Sequence, residues 1–112
     1  MEWGNFQRSE FACKCGCGRD TVDAELLDVL NSIRSHFGKP LIVISGHRCA
    51  THNANVGGVA NSQHKHGRAA DFSVRNVGSR SVRRYIADTW GDKYYHYAIS
   101  DTATHIDTRT RR

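Results

Sequence analysis

The chain has 112 residues, of which 38% are hydrophobic and 24% are charged, and these proportions exclude a disordered protein. Its length supports one core rather than two, so we expect a single domain over residues 1–112. No apolar run approaches the roughly 20 residues of a transmembrane helix, which argues against membrane insertion. The net charge of +5 suits an anionic partner, either nucleic acid or a bacterial wall rich in carboxylates and phosphates.

Residues 1–19 are expected to form an irregular segment packed on the core. Cys13, Cys15 and Cys17 alternate within it, and Cys49 is the only other thiol. Disulfide bonds and reduced thiols both remain open, whereas a zinc knuckle fits less well because metal-binding cysteines usually occur as C-x2-C pairs. The first residues lack the basic and apolar parts of a secretory signal, so we expect a chain made without a leader or one whose leader is already removed.

The clearest predicted helix runs from Asp20 to Phe37, with Asp20 or Thr21 as its N-cap and Gly38 at its end. Its apolar residues recur at the spacing of a helix that faces a core: Val22, Leu26, Val29, Leu30, Ile33 and Phe37. No residue of this helix indicates chemistry, so its predicted role is structural.

Leu41–Ile44 is predicted to be a short strand buried on both faces. It leads into the polar residues Ser45, Gly46, His47 and Arg48, at a strand end where sites are often built. The planar guanidinium of Arg48 suits bidentate binding of a carboxylate. A surface salt bridge explains the same arginine equally well.

The stretch Ser62–Asp71 holds a histidine and an aspartate seven positions apart. His64 and Asp71 offer nitrogen and oxygen donors of the kind that zinc takes, and Gly67 permits a tight turn between them. The alternation over positions 69–74 predicts a strand with Asp71 on its more polar face. Two donors do not make a site, and a coincidental pair in a loop is the alternative.

Three further elements are predicted: a helix capped by Ser79 that ends near Trp90, a strand at Tyr94–Ile99 and a last strand at Thr104–Thr108. In the last strand His105 and Asp107 share one face, and Ile106 lies on the other. His105 is therefore available on a sheet face as a third metal donor.

Together these segments resemble the zinc D-alanyl-D-alanine carboxypeptidase family, in the short single-domain branch that includes phage endolysins. The resemblance covers nearly the whole chain, and its most specific pattern is S-x-H-x-x-G-x-A-x-D. The matching residues, with His47 where the family has tyrosine, are Phe11 to Gly16, Ser45 to Arg48, Asn53, Gly57-Gly58, Ser62 to Asp71 and His105 to Asp107.

The resemblance implies an α+β fold, in which a small, mainly antiparallel sheet carries helices on one side, as in Hedgehog signalling domains. It also implies one Zn2+ per chain bound by His64, Asp71 and His105, with Arg48 and Ser62 facing the substrate. Three protein ligands leave one zinc position open, as in catalytic sites. The implied activity is hydrolysis of amide bonds in peptidoglycan stem peptides, as a carboxypeptidase or an endolysin-type endopeptidase, by a monomer acting at the bacterial cell wall.

The general base is where the chain departs from the family. Many members carry a carboxylate two or three residues before the final histidine ligand, and here those places hold none. Asp101, four residues before His105, is the nearest carboxylate and is our candidate base. Asp107, His66 and His96 are alternatives, and Asp107 could instead orient His105 from behind.

Two other functions compete with this interpretation. The first is a zinc domain of the same fold that binds the wall or a partner without catalysis. It remains an alternative because the family's carboxylate before the final histidine, His105, is missing. A zinc-stabilised nucleic-acid-binding module would use the cysteines and the basic charge. Against that module, the arginines form no helical stripe and do not alternate with aromatic residues, so we expect no nucleic-acid partner.

Overall fold

A four-stranded antiparallel sheet and two α-helices account for most of the part of the chain that the computed structural model describes, namely residues 6–14, 16, 22–46, 53, 64 and 67–108. The elements in chain order are a 3-10 helix (Arg8–Phe11), α1 (Ala24–Phe37), β1 (Leu41–Ser45), β2 (Ala69–Val74), α2 (Ser79–Trp90), β3 (Tyr95–Ala98) and β4 (Ala103–Asp107). This confirms the predicted α+β class. Within the described ranges, neither α-helix is long and apolar enough to cross a bilayer.

The sheet has the strand order β1-β2-β4-β3, so the two strands that carry metal donors are its central pair. In the β2–β4 pairing Asp71 lies directly opposite His105, and in the β3–β4 pairing Tyr97 lies opposite the same histidine. One row across the sheet therefore contains Asp71, His105 and Tyr97.

Both α-helices pack on one face of the sheet, which we call the helix face. Helix α1 contacts β2 and α2, while α2 also contacts β2, β3 and β4. Alternate strand residues point into this core, and the largest of its fully buried side chains include Phe11, Phe72, Leu26, Leu27, Leu30, Ile33, Ile86 and Ile106. The opposite face, which we call the open face, carries Asp71, His105 and Asp107.

Helix α1 begins later than predicted, at Ala24 instead of Asp20. Its N-cap is Asp23, whose Oδ2 accepts a hydrogen bond from the backbone N–H of Leu26 at 3.3 Å. The backbone N–H of Asp23 donates to the carbonyl of Gly67 at 2.8 Å, so a tertiary contact fixes the start of the helix. The caps proposed from the sequence, Asp20 and Thr21, lie outside the described residues. Gly38 ends the helix as predicted, with a φ of 61°.

Strand β1 is not buried on both faces, contrary to the sequence prediction. Leu41 and Val43 are buried, whereas Ile42 and Ile44 are 53% and 46% exposed. The reason is that β1 is an edge strand of a sheet whose helices cover only one face. A continuous apolar run cannot by itself distinguish two covered faces from one.

Helix α2 spans the predicted range, but Ser79 does not cap it. The N-cap is Gly78, and Ser79 is the first helical residue. The Ser79 hydroxyl donates to the carbonyl of Ser100 at 2.6 Å, and its backbone N–H donates to the carbonyl of Asp101 at 2.8 Å. The start of α2 is thus held by the turn between β3 and β4. These two strands begin one residue later and one residue earlier, respectively, than predicted.

Aromatic side chains anchor the described part of the N-terminal segment on the core. Phe6 and Phe11 are buried and meet edge to face, with ring centroids 5.7 Å apart. Cys13, two residues after Phe11 in the sequence, is also buried. Because Cys15, Cys17 and Cys49 lie outside the described residues, the structure does not decide between disulfides and reduced thiols.

Candidate metal centre

The structure brings together the three donors that the sequence suggested: His64, Asp71 and His105. One ligand atom from each lies within 4.8 Å of the other two, and this is the cluster of three such donors found among the described residues. Asp71 Oδ1 is 3.2 Å from His64 Nε2 and 2.8 Å from His105 Nδ1. Both histidines are buried, and the Asp71 side chain is only 13% exposed.

The β2–β4 pairing places two of the donors. Directly opposed residues of an antiparallel pair have Cβ atoms about 4.5–5.5 Å apart, so side chains on one face meet. Asp71 and His105 are opposed in this way. The distance between the Asp71 carboxylate and the His105 imidazole therefore follows from the register and from the alternation that puts both side chains on the open face.

The third donor, His64, is held by the end of β1. The carbonyl oxygen of Gly46 lies 2.8 Å from His64 Nδ1. Gly46 must be glycine because a Cβ there would lie 2.7 Å from the Cα of Phe11, which is closer than real Cβ atoms approach. On the other side of the histidine, the Gly67 N–H donates to the His64 carbonyl at 3.3 Å, and Gly67 has a φ of 68°. Both glycines belong to the motifs read from the sequence.

The outer nitrogen of each imidazole faces an acceptor. A carbonyl can only accept, so His64 Nδ1–H donates to Gly46, and Nε2 is the ring nitrogen that faces Asp71. His105 Nε2 lies 2.8 Å from Oδ2 of the fully buried Asp107, which leaves Nδ1 directed at Asp71. Two imidazole nitrogens and a carboxylate oxygen thus converge, an arrangement that a bound cation satisfies when both rings are neutral.

The electrostatics of the cluster agree with this geometry. Burial alone would raise the pKa of the Asp71 carboxyl, but hydrogen bonds with His105 and His64 outweigh it and hold that pKa far below its usual value. Burial alone would lower the pKa of His105, but hydrogen bonds with Asp107 and Asp71 outweigh it and raise that pKa. The site therefore keeps a carboxylate ionised and attracts positive charge.

The donor set also suits zinc. Two imidazole nitrogens and one carboxylate oxygen form a three-ligand set of the sort found in catalytic zinc sites, which keep a fourth position open. Calcium and magnesium prefer sites built from oxygen donors. The residues present therefore fit zinc, and they fit a site that does chemistry better than a closed structural one.

The remaining predicted site residues divide into two groups. Arg48, Ser62 and His66 lie outside the described residues. Asp101 is exposed in the turn between β3 and β4, where its carbonyl accepts from the first N–H of α2. His96 lies on the helix face, opposite Ile106, and its Nδ1 accepts a hydrogen bond from Arg83 Nε at 3.2 Å. Neither belongs to the donor cluster.

Sequence reasoning missed two participants. The Gly46 carbonyl was hidden because side-chain patterns do not reveal which backbone oxygen meets a histidine 18 residues away. The Tyr97 ring is stacked on the His105 imidazole, with centroids 4.6 Å apart and planes 13° apart. The alternation of Tyr95 and Tyr97 along the predicted strand indicated that the two rings share one face of the sheet. The pairing of Tyr97 with His105 depends on the strand register, which the sequence does not give.

Comparison with known proteins gives a consistent result. The model of the peptidase M15 family matches residues 4–107, which is nearly the whole chain. A 50-residue stretch is 44% identical to the zinc D-Ala-D-Ala carboxypeptidase of Streptomyces albus G, and it covers 44% of this chain but only 20% of that enzyme. The chain thus matches about a fifth of the length of this relative. The resemblance inferred from the motifs is confirmed, and the chain belongs to the peptidase M15 family.

Proposed function

We propose that this protein hydrolyses amide bonds in peptidoglycan stem peptides, as a monomeric zinc D,D-carboxypeptidase or an endolysin-type endopeptidase acting at the bacterial cell wall. Membership of a peptidase family gives the reaction class. The observation that carries the proposal is the three-donor cluster on the open face, in which the outer nitrogen of each histidine is held by an acceptor. A site with this donor set suits amide hydrolysis.

Zinc, the cofactor expected from the sequence, is supported by three findings. The family is one of peptidases, the donors are two nitrogens and one oxygen, and the relative is named as a zinc enzyme. When bound, zinc polarises a carbonyl and lowers the pKa of water toward about 7. We propose His64, Asp71 and His105 as its ligands, one ion per chain.

The wall peptide is proposed as substrate on two grounds. The relative is named as a D-Ala-D-Ala carboxypeptidase. The net charge of +5 favours association with an anionic wall. Cleavage of the terminal residue and cleavage of a cross-bridge need the same chemistry. The protein could therefore perform either, and the second activity would suit a role in bacteriophage lysis.

Individual residues of the chain have separate proposed roles in substrate binding, proton transfer and orientation of a metal ligand. The Arg48 guanidinium would hold a substrate carboxylate bidentately, and Ser62 would be a further substrate contact. Asp101 would accept a proton from the attacking water and return it to the leaving amine, a contribution of about 10²–10⁴-fold. Asp107 keeps the His105 ring oriented through its hydrogen bond to Nε2.

The test is digestion of purified sacculi, with the soluble products identified by mass spectrometry. We expect release of terminal D-alanine or of cleaved cross-bridges, full inhibition by a chelator and recovery on addition of zinc. Arg48→Lys keeps the charge but loses the two-pronged geometry, so it should slow digestion. The His105→Ala variant serves as the inactive control. Absence of any product from zinc-loaded protein would refute the proposal.

A second candidate is a domain of the same family that binds the wall without catalysis. It is favoured by one observation: among the described residues, the donor cluster contains no carboxylate beyond Asp71, and Asp101 lies exposed in a turn held against α2. Co-sedimentation with sacculi distinguishes the two candidates. Zinc-dependent sedimentation without any released product would support the binding domain.

A further inference from the structure

The large exposed hydrophobic side chains of the described residues are confined to two places. They are Ile42 and Ile44 on β1, at 53% and 46% exposure, and Tyr97 and Ile99 in and just after β3, at 43% and 47%. Strands β1 and β3 are the two edges of the sheet. Exposed apolar residues grouped around a polar site usually mark a binding surface rather than chance.

The register shows that these side chains flank the metal donors. Ile42 lies opposite Ser73, and Ser73 lies opposite Ala103. The pairing continues beyond β3, because the Ile99 N–H donates to the Ala103 carbonyl at 2.9 Å. One row across the sheet is therefore Ile42, Ser73, Ala103 and Ile99.

The next row is the donor row, which contains Asp71, His105 and Tyr97. Ile44 lies beside Asp71 at the irregularity of β1, where Val43 pairs with Phe72 and Ser45 with Asp71. The first row thus has a large apolar residue at both edges, whereas the donor row has Tyr97 at one edge and, at the other, Ser45 paired with Asp71 and Ile44 as the extra residue beside it. In the first row the central residues are small, and in the second they are the donors.

This arrangement forms a trough on the open face. Its walls are Ile42 and Ile44 on one edge and Tyr97 and Ile99 on the other, and Ser73 and Ala103 form its floor next to the donors. Neighbouring strands are about 4.8 Å apart, so the walls stand roughly 14 Å apart at the backbone, which leaves room for one extended peptide. The stacking of Tyr97 on His105 joins one wall directly to the metal centre.

We propose that this trough binds the peptide substrate in an extended conformation and selects residues with small side chains. The inference rests on the proposed function and adds the residues that determine specificity. Small floor residues let the peptide backbone approach the sheet, whereas the isoleucines and Tyr97 offer apolar contact to methyl groups. Along a strand the two rows are two residues apart, about 6.6 Å. The substrate side chain two positions from the scissile amide therefore faces Ser73 and Ala103.

The first experiment varies the peptide. Stem peptides in which alanine is replaced by leucine, one position at a time, are titrated by calorimetry into zinc-free protein and assayed for hydrolysis with zinc-loaded protein. Leucine two positions from the scissile amide should weaken binding about tenfold, in the range that one misfitting apolar group costs. Equal affinity for every peptide of the series would overturn the proposal.

The second experiment varies the trough. Ser73→Leu fills the floor, and the double variant Ile42→Ser, Ile99→Ser removes one wall residue from each edge. Each should raise KM about tenfold with kcat nearly unchanged, because uniform binding is lost. Zinc affinity and Tm should stay at the values of the unmodified protein. The control is Ala98→Ser, which adds a hydroxyl to the same edge strand on its helix side and should change nothing.

The outcomes separate this inference from the proposed function. Peptide binding without hydrolysis in the unmodified protein would refute the peptidase activity, and the trough would still be supported if leucine two positions from the same amide weakened that binding and refuted if it did not. Hydrolysis that is unaffected by the wall and floor variants would refute the trough alone. A concentration-dependent dimer in sedimentation, lost in the Ile42→Ser, Ile99→Ser variant, would instead assign these residues to contact between two copies of the chain.

Discussion

The two faces of the sheet use the same strands for different purposes. On the helix face, Phe72 and Ile106 are completely buried in an apolar core. On the open face, one residue earlier in each strand, Asp71 and His105 form a polar cluster with Asp107. Every residue of β4 is buried, on both faces. The two faces differ in the interactions that their side chains make, which are apolar packing on one face and hydrogen bonds on the other.

This difference shows how stability and chemistry are kept apart within five residues. Apolar side chains on the helix face gain free energy from removal from water. Polar side chains on the open face have hydrogen-bond partners in one another, which is the condition for burying them. Mutation of adjacent positions of β4 should therefore change different quantities: stability for residues on the helix face, and zinc affinity or hydrolysis for residues on the open face.

The largest effect is expected from removing a ligand. His105→Ala and His64→Ala should each lower zinc affinity by more than the about 10–100-fold that loss of an outer hydrogen-bond partner costs. Competition with a chromophoric chelator measures this affinity. The matched variant on the other face, Ile106→Val, should cost about 0.5–1.5 kcal/mol of stability and keep its zinc. Full zinc occupancy in both histidine variants would redirect attention to the cysteines.

The turn between β3 and β4 belongs to neither face, and Asp101 lies there. If it is the general base, Asp101→Asn should reduce hydrolysis by about 10²–10⁴-fold while zinc content and Tm stay constant. The carbonyl of Asp101 holds the start of α2 and is retained in this variant, so the fold should survive. Activity equal to that of the unmodified protein would place the base elsewhere, with His66 as the next residue to test.

A smaller effect is expected from the buried partner of His105. Asp107→Asn removes a charge but preserves shape, and it should lower zinc affinity about 10–100-fold because the ring exchanges a charged acceptor for a neutral one. The measurement is the same chelator competition. This variant should not lose its fold, since an amide can still bond to the ring. An unchanged affinity would show that the sheet alone orients His105.

Among the buried strand residues of the helix face that the structure describes, one is polar. The hydroxyl of Thr104 is fully buried, and within the described part of the chain no hydrogen-bond partner is found for it. Thr104→Val replaces that hydroxyl with a methyl group of similar size and should stabilise the protein by about 1 kcal/mol. Urea denaturation at fixed zinc concentration measures the change. Destabilisation of the same size would mean that the hydroxyl has a partner that Val cannot replace.

The smallest effect is expected from the cysteines. Replacement of Cys15 and Cys17 by serine together should leave zinc content and hydrolysis unchanged, because the donors assigned here do not include thiols. Metal analysis after dialysis provides the measurement, and Tm is recorded as a separate quantity. A folded variant that has lost its zinc would contradict the assignment of the metal to the sheet.

The sequence was sufficient where the relevant signal is local. The alternation in β2 and β4 correctly placed Asp71 and His105 on strand faces, and the motif added His64 to them. It was insufficient where a tertiary contact decides. Asp23, and not an earlier residue, caps α1 because its N–H meets the Gly67 carbonyl, and the exposure of Ile42 follows from which face the helices cover. The register of β2 on β4 is equally non-local, so the 2.8 Å contact of Asp71 with His105 could not be predicted.

That register has a consequence for how long the protein survives. Asp71 and His105 are 34 residues apart in sequence, so an unfolded chain rarely presents them together, and a metal that needs both selects the folded form. Free zinc at 100 times its dissociation constant would then add about 2.7 kcal/mol to the free energy of unfolding, a large share of the roughly 5–15 kcal/mol typical of a whole domain. Loss of metal would increase the fraction of open chain about a hundredfold by the same relation. Proteases should therefore remove the zinc-free protein first, so that metal supply sets the amount of protein as well as its activity.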